Sequence, residues 1–264
     1  MRRTLEVKDF KSHEVYSAYR VPNGLAFFIR CDGRNFRKIC TVLKLKKPFD
    51  ERLIRILISA AREVFQEGFN AILAYIFSDE INFLFIKNVP FNRRVEKLVS
   101  LIPSLVSSRF SLEVLKFFKM DLAIAFDARI VPMYSSEVIE YLAWRQLQCF
   151  RNCLNCYAHY SLIEKGYSPK EVAESLRGLK AESLLEIISR VKGVRLNDIP
   201  LWQRRGVLLY WEEFHKIGRN PLTGDNVLAI RRKLKEEWNL PLFSSQEGRI
   251  FLEKILREQS VIHR

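Results

Sequence analysis

The chain has 264 residues, 48% of them hydrophobic and 28% charged. That is enough for one or two domains with a core of their own, and the composition excludes an intrinsically disordered chain. Lys and Arg number 44 against 30 Asp and Glu, a formal net charge of +14, which favours a polyanionic partner, nucleic acid first. The cysteines number five, an odd count, and the first ten residues carry arginines with no apolar stretch behind them. Both features argue against a secreted, disulfide-stapled scaffold. No uninterrupted apolar run reaches the ~18 residues that span a bilayer. The expectation is a cytoplasmic protein without a membrane partner.

In chain order, the apolar run at 25–30 reads as a buried strand ended by Cys31, Asp32 and Gly33. Asp50 can cap a helix whose apolar positions Leu53, Ile54, Leu57, Ile58, Ala61, Val64 and Phe65 recur at helical spacing, and Gly68 closes it. Residues 71–77 read as a second buried strand and 81–86 as a third. The polar link Ser78, Asp79, Glu80 between them is short enough to make a hairpin. A helix is expected from about 91 to 109, bent or broken at Pro103, and a fourth strand from 122 to about 131. The resulting β-α-β-β-α-β order is the ferredoxin-like pattern on which polymerase palms and nucleotide cyclases are built.

The second half reads as mostly helical. A long helix capped by Ser135, Ser136 and Glu137 runs to near Gly166, and a short one has Pro169 at its first position. Further helices are expected over 181–191, 231–238 and 246–257, with one strand at 205–211. The fold class expected is α+β: a ferredoxin-like polymerase palm (βαββαβ) at 1–134 as the catalytic domain. A helical RNA-binding and oligomerisation region at 135–264 packs on it.

Asp32 ends the first strand, and Asp79 and Glu80 sit in the hairpin between the second and third. In a sheet of this order the first and third strands are central neighbours, so carboxylates far apart in sequence meet at adjacent strand ends. Such a group repels itself unless a cation neutralises it. Compact oxygen ligands suit Mg²⁺, held by one or two carboxylates plus substrate phosphates, and two such ions assist phosphoryl transfer. Asp32, Asp79 and Glu80 are therefore the candidate catalytic residues, and Asp32, Asp79 and the Gly33 carbonyl the candidate metal ligands. Asp-Gly and Ser-Asp-Glu taken singly are also ordinary turn chemistry. Their joint placement is what argues for a site.

Cys149, Cys153 and Cys156, followed by His159, invite a metal or iron–sulfur reading, but i, i+4, i+7 is the spacing of one packed helix face. Arg204, Arg205, Arg231 and Arg232, with Trp202, Tyr210, Trp211 and Phe214 nearby, suit phosphate contact and base stacking. The alternative is a solvated charged face over core aromatics.

The motif Ile29-Arg30-Cys31-Asp32-Gly33-Arg34-Asn35-Phe36 resembles the signature of the tRNA-His guanylyltransferase family and its relatives that repair tRNA 5′ ends. The run from Tyr75 through Ser78, Asp79 and Glu80 resembles the family's second motif. Further matches are Lys46-Lys47-Pro48, the stretch 91–97 with Arg93 and Arg94, Phe126-Asp127-Ala128-Arg129, the Trp144-Arg145-Gln146 run and Arg204-Arg205-Gly206. The resemblance implies a palm that adds nucleotides 3′-to-5′. ATP activates a tRNA 5′-monophosphate, then the 3′-hydroxyl of an incoming nucleotide, usually GTP, attacks with two Mg²⁺ ions assisting.

It also implies metal ligation by Asp32, Asp79 and Gly33, and nucleotide binding by Gly33, Arg34, Asn35, Phe36, Lys47, Ser78 and Lys97. Arg93, Arg94, Arg129 and Arg145 join the four arginines above as RNA-binding candidates, and a homotetramer is the default. Where many members carry His-Ile-Asn-Asn-Leu-Tyr-Asn, this chain has Phe150-Arg-Asn-Cys-Leu-Asn-Cys156, keeping Asn152 and Leu154, which fits a relative that repairs 5′ ends against a template. A non-catalytic RNA-binding relative, or a forward polymerase or cyclase on the same palm, are the competing classes. Intact Asp32, Asp79 and Glu80 argue against the first, and the basic charge and long helical half argue against a cyclase.

Overall fold

The computed structural model describes residues 9–219 and 224–262. The reading of the first ten residues falls largely on 1–8, outside the described residues. Six strands form one antiparallel sheet: β1 (Ala26–Gly33), β2 (Leu73–Phe77), β3 (Glu80–Phe85), β4 (Phe126–Met133), β5 (Val207–Arg219) and β6 (Asn226–Glu237). Their order is β4-β1-β3-β2-β5-β6. The first four strands give the expected palm arrangement, with β1 and β3 paired at its centre. Helices α1 (Phe36–Val42), α2 (Glu51–Gln66) and α3 (Val95–Phe118) connect the palm strands. Helices α4 (Val138–Glu164), α5 (Pro169–Leu176), α6 (Ala181–Lys192), α7 (Leu201–Arg205) and α8 (Gln246–Ile262) belong to the second half.

Side chains of a strand alternate between faces, and here both faces are covered. Phe27, Ile29 and Cys31 with Ile81, Phe83 and Phe85 pack among Ile54, Leu57, Val106 and Phe110 of α2 and α3. Ala26, Phe28, Leu84 and Tyr75 pack against Leu142 and Cys149 of α4 and Leu252 of α8. Burial on two sides explains why these strands read as continuous apolar runs rather than alternating ones. Asp50 caps α2, accepting from the Arg52 N–H at 3.0 Å. Ser168 and Glu171 form the capping box of α5.

Several elements depart from expectation. Residues 231–238, expected helical, belong to β6, which pairs with β5 along its length. The charged run has good helix formers, but Leu228, Ile230 and Leu234 recur with strand period, and pairing overrides propensity. α3 runs through Pro103 to Phe118. The ~3 kcal/mol cost of an interior proline is outweighed by complete burial of Leu98, Ile102, Val106, Phe110 and Val114 along one face. α3 is also long and apolar enough, by length and composition, to cross a membrane, although it carries no uninterrupted apolar run and its buried face is part of the core. β4 begins at Phe126 rather than 122, because 122–125 pairs with no strand and its Ile124 N–H donates to Ser111 Oγ at 3.2 Å. Helices α1 and α7 match no expected element, and the strand expected at 205–211 is β5, which starts at Val207 after α7 and runs on to Arg219.

Candidate active site

The loop that leaves β1 is shaped by a glycine and an aromatic ring. A Cβ on Gly33 would lie 2.1 Å from the Phe36 ring, and that ring is buried edge-on between Phe110 and Phe126, each with centroids 5.3 Å away. Asn35 takes a left-handed φ of 57° as the chain turns into α1. The Gly33 N–H donates to the Asp79 carbonyl at 3.0 Å and the Arg34 N–H to the Ala125 carbonyl at 2.9 Å. Those bonds tie the end of β1 to the β2–β3 turn on one side and to the approach of β4 on the other. In that turn Ser78 has φ 53°, between the paired residues Phe77 and Glu80.

Asp32 and Asp79 thus meet at the strand ends, both half-buried. Burial, and next the Asp32 charge, push the Asp79 carboxyl up to about 6 from 3.8. No cation pairs with either carboxylate among the described residues. Two under-neutralised carboxylates with a backbone carbonyl alongside are hard oxygen donors of the kind that hold Mg²⁺. Asp127 stands opposite Asp32 in the β1–β4 register, pairing with Arg129 at 3.4 Å. No group of three His, Cys, Asp or Glu side chains converges as a metal cage among the described residues.

Glu80 is not the free third carboxylate expected from the sequence. It is buried and accepts from Arg145 Nε at 2.9 Å and Nη2 at 2.5 Å, and from Asn82 Nδ2 at 2.7 Å. Arg145, expected at an RNA surface, is likewise buried, its guanidinium 4.6 Å from the centre of the Trp144 ring. Asn82 in turn accepts from the Tyr141 hydroxyl at 2.7 Å. The pair locks α4 onto the sheet directly beneath the site.

A cavity of about 320 Å³ opens beside Asp79. Its polar end has Ser78, Asp79, Arg37, Lys46 and Lys47, and its apolar wall includes Phe36, Phe49 and Trp202. Lys47 Nζ lies 5.4 Å from the centre of the Tyr160 ring. Asp50 holds the 46–50 loop in place, accepting from the Lys46 N–H at 2.9 Å and from Arg52 Nη2 at 2.6 Å. Of the expected nucleotide ligands, Gly33, Phe36, Lys47 and Ser78 gather at or beside this cavity. Arg34 and Asn35 line a neighbouring depression with Lys38. Lys97 is not brought there: it lies in the first turn of α3, where the Val95 N–H donates to the Tyr19 carbonyl, at the end of the sheet where β1 begins. β1's eight residues span roughly 25 Å.

The remaining basic candidates divide. Arg93 is engaged within the fold, donating to the Val21 and Leu25 carbonyls at 3.1 and 2.5 Å, and Arg94 is half-buried beside it. Arg204 and Arg205 donate to the Ile199 and Leu240 carbonyls at 3.0 and 2.8 Å. Arg129, Arg231 and Arg232 are exposed, with Arg232 5.1 Å from the Trp211 ring centre. Cys149 and Cys153 are buried packing residues of α4, whereas Cys156 lines the cavity. Cys40, Asn152 and Gln203 also line it. Cys40 and Gln203 belong to no motif in the sequence, and Asn152 stands there only as a residue kept from the family stretch at 150–156. A helical projection placing 149, 152 and 156 on one side of α4 was the available signal for Asn152.

A ferredoxin-like palm with paired carboxylates at the ends of its central strands, opening on a nucleotide-sized cavity, defines a palm-type class. A family model described as tRNAHis guanylyltransferase matches residues 7–134, and one described as Thg1 C terminal domain matches 136–240. The tRNA(His) guanylyltransferase of Candida glabrata is 32% identical over 215 residues, 77% of this chain and 87% of that protein. The tRNA(His) guanylyltransferase 1 of Arabidopsis thaliana is 30% identical over 228 residues, 84% of this chain but 40% of that longer protein. A bacterial tRNA(His) guanylyltransferase-like protein solved in complex with ATP shares the fold, with a TM-score of 0.75 at 21% identity over 93% of this chain and 96% of that one. This chain belongs to the tRNA(His) guanylyltransferase family.

Proposed function

We propose that the chain is a nucleotidyltransferase that adds nucleotides, GTP preferred, to the 5′ end of tRNA in the 3′-to-5′ direction. The observation that carries this reading is the Asp32–Asp79 pair, which no cation among the described residues pairs with and which opens on the cavity with Lys46 and Lys47. Solved relatives are described as complexes with ATP and with GTP, which suits a triphosphate at the polar end. Asp32, Asp79 and the Gly33 carbonyl would hold two Mg²⁺ ions, which supply charge neutralisation for the attacking and leaving oxygens. Lys47 and Arg37 balance triphosphate charge, and the Gly33 turn lets phosphate approach the backbone closely. The Glu80–Arg145 pair positions the turn that carries Asp79 and touches no substrate. The exposed Arg129, Arg231 and Arg232 are the RNA contacts we favour, and a homotetramer remains the assembly proposed.

Two substrates suit the site: the 5′ end of tRNA-His, for guanylylation, and a shortened tRNA 5′ end repaired against its template. Cys156, from the stretch that departs from the family motif, faces the cavity and favours repair. The test is nucleotide addition by purified protein with Mg²⁺, labelled GTP and ATP. The substrates are tRNA-His and a tRNA lacking its first nucleotide, each as 5′-monophosphate and 5′-triphosphate. Addition to the shortened tRNA identifies repair, and addition only to full-length tRNA-His identifies guanylylation. No addition to any substrate refutes the reading. Asp32→Ala or Asp79→Ala should abolish addition while tRNA binding, falling with rising salt, survives.

A further inference from the structure

The cavity has a second, aromatic end that the phosphate chemistry does not use. Phe49 stands edge-on to Trp202, centroids 6.2 Å apart, and 6.1 Å from Tyr157. Two side-chain amides, Gln203 and Asn152, also line the cavity. Each has its oxygen occupied from within the chain. The Tyr157 hydroxyl donates to Gln203 Oε1 at 2.7 Å, and the Cys156 thiol donates to Asn152 Oδ1 at 3.9 Å. Neither amide nitrogen has a partner among the described residues.

The backbone of Gln203 is held as well: its N–H donates to the Pro200 carbonyl at 3.1 Å and its carbonyl accepts from the Cys149 thiol at 3.7 Å. Burial pushes the Tyr157 hydroxyl up to about 12 and the Cys156 thiol up to about 11, so both keep their protons and remain donors. An amide whose oxygen is engaged by a donor is fixed in one of its two flip states. Both amides therefore keep free N–H groups, while each oxygen already accepts one bond from within the chain.

We propose that Gln203 and Asn152 select the base of the bound nucleotide, preferring guanine to adenine. This inference rests on the reading of the cavity as a nucleotide site. The guanine edge with O6 and N7 carries two acceptors side by side, whereas the same edge of adenine carries the N7 acceptor beside the N6 amine. Two donors match the first and set a donor against a donor in the second. Phe49 and Trp202 supply apolar surface for either purine, so binding strength is shared and the amides account for the difference.

The experiment titrates the full chain with GTP, ATP, ITP and 7-deaza-GTP in Mg²⁺, without tRNA, following tryptophan fluorescence. GTP and ITP, which share O6 and N7, should bind alike and about 10-fold or more tighter than ATP, as expected for one mismatched polar contact in a buried site. 7-deaza-GTP should lose about 5-fold. Gln203→Leu should remove most of the preference, and Gln203→Glu, which presents acceptors instead, should shift it toward ATP. Tyr157→Phe, which frees the amide to flip, should narrow it. Circular dichroism establishes that each variant is folded. Equal binding of GTP and ATP by the unaltered chain, ITP behaving as ATP does, or an unchanged ratio in both folded Gln203 variants would overturn the inference alone. Failure of every nucleotide to bind would overturn the nucleotide reading of the cavity, and base selection with it.

Discussion

Replacing Arg145 by Met tests the most heavily buried charge pair beside the site. The side chains of Glu80 and Arg145 are 8% and 9% exposed. Two of the three hydrogen bonds to the Glu80 carboxylate come from Arg145 and one from Asn82. Removing one partner of a buried ion pair costs about 3–5 kcal/mol, because the other charge is left in a poor solvent. Here the lower end is expected. Arg30 Nε already lies 4.0 Å from Glu80 and lacks a hydrogen bond of its own, so it can move in and recover part of the loss.

The prediction is a loss of about 3 kcal/mol for Arg145→Met, read by urea unfolding with tryptophan fluorescence at pH 7. The double variant Glu80→Gln with Arg145→Met should recover at least half of it, since no charge is then stranded. A loss below about 1 kcal/mol, or a double variant no more stable than the single one, would refute the view that a stranded carboxylate dominates.

The neighbouring carboxyl behaves oppositely. Asp79 is raised from 3.8 to about 6, so its ionisation weakens the metal-free fold as pH rises from about 4 to 6, and the cost persists above that. Asp79→Asn should therefore stabilise the chain in EDTA at pH 7.5 by about 3 kcal/mol, at 1.36 kcal/mol per pH unit, while abolishing nucleotide addition. An unchanged melting temperature would count against it. Asp50 titrates the other way: its hydrogen bond from Arg52 holds it down to about 2. Its contribution is complete above about pH 4 and is lost as pH falls toward 2. Half-exposed Arg52 weakens the effect by screening, so Asp50→Asn should cost about 1–2 kcal/mol at pH 7, and the gap between variant and parent should close in acid melts. Gly33→Ala should expel the Phe36 ring from between Phe110 and Phe126, costing about 3 kcal/mol by chemical denaturation. A variant of normal stability would show that the loop can yield.

How much of this was readable beforehand depends on how far the cause lies along the chain. Asp32 and Asp79 were legible because strand ends in a palm order are close by topology alone. Glu80 carried the same acidic signal, but its partner is 65 residues away on a helix whose facing surface no local pattern discloses. α1 has seven residues, too few for a periodicity to register. β6 was hidden by a charged run with strong helix propensity. Asn152 shows in the sequence only as a residue kept from the family motif, and Gln203 stands out in no local pattern, since what matters about it is which amide atom a neighbour has occupied. Lys97 was misplaced because a motif gives an order along the chain and not which end of a long helix faces the site.

The two matched sequence regions meet near residue 135, yet the hydrogen-bond ladder ignores that border: β2 bonds to β5 through Ala74↔Leu209 and its neighbours. A fragment ending at the border would leave β2 with a bare row of amides and carbonyls along a wholly apolar strand, an invitation to pair with another copy. The two matched regions are therefore separable along the sequence but not within the sheet. The second half completes the first in the way a bottom course of bricks completes a wall, and any replacement of either piece has to keep the register of a few shared bonds.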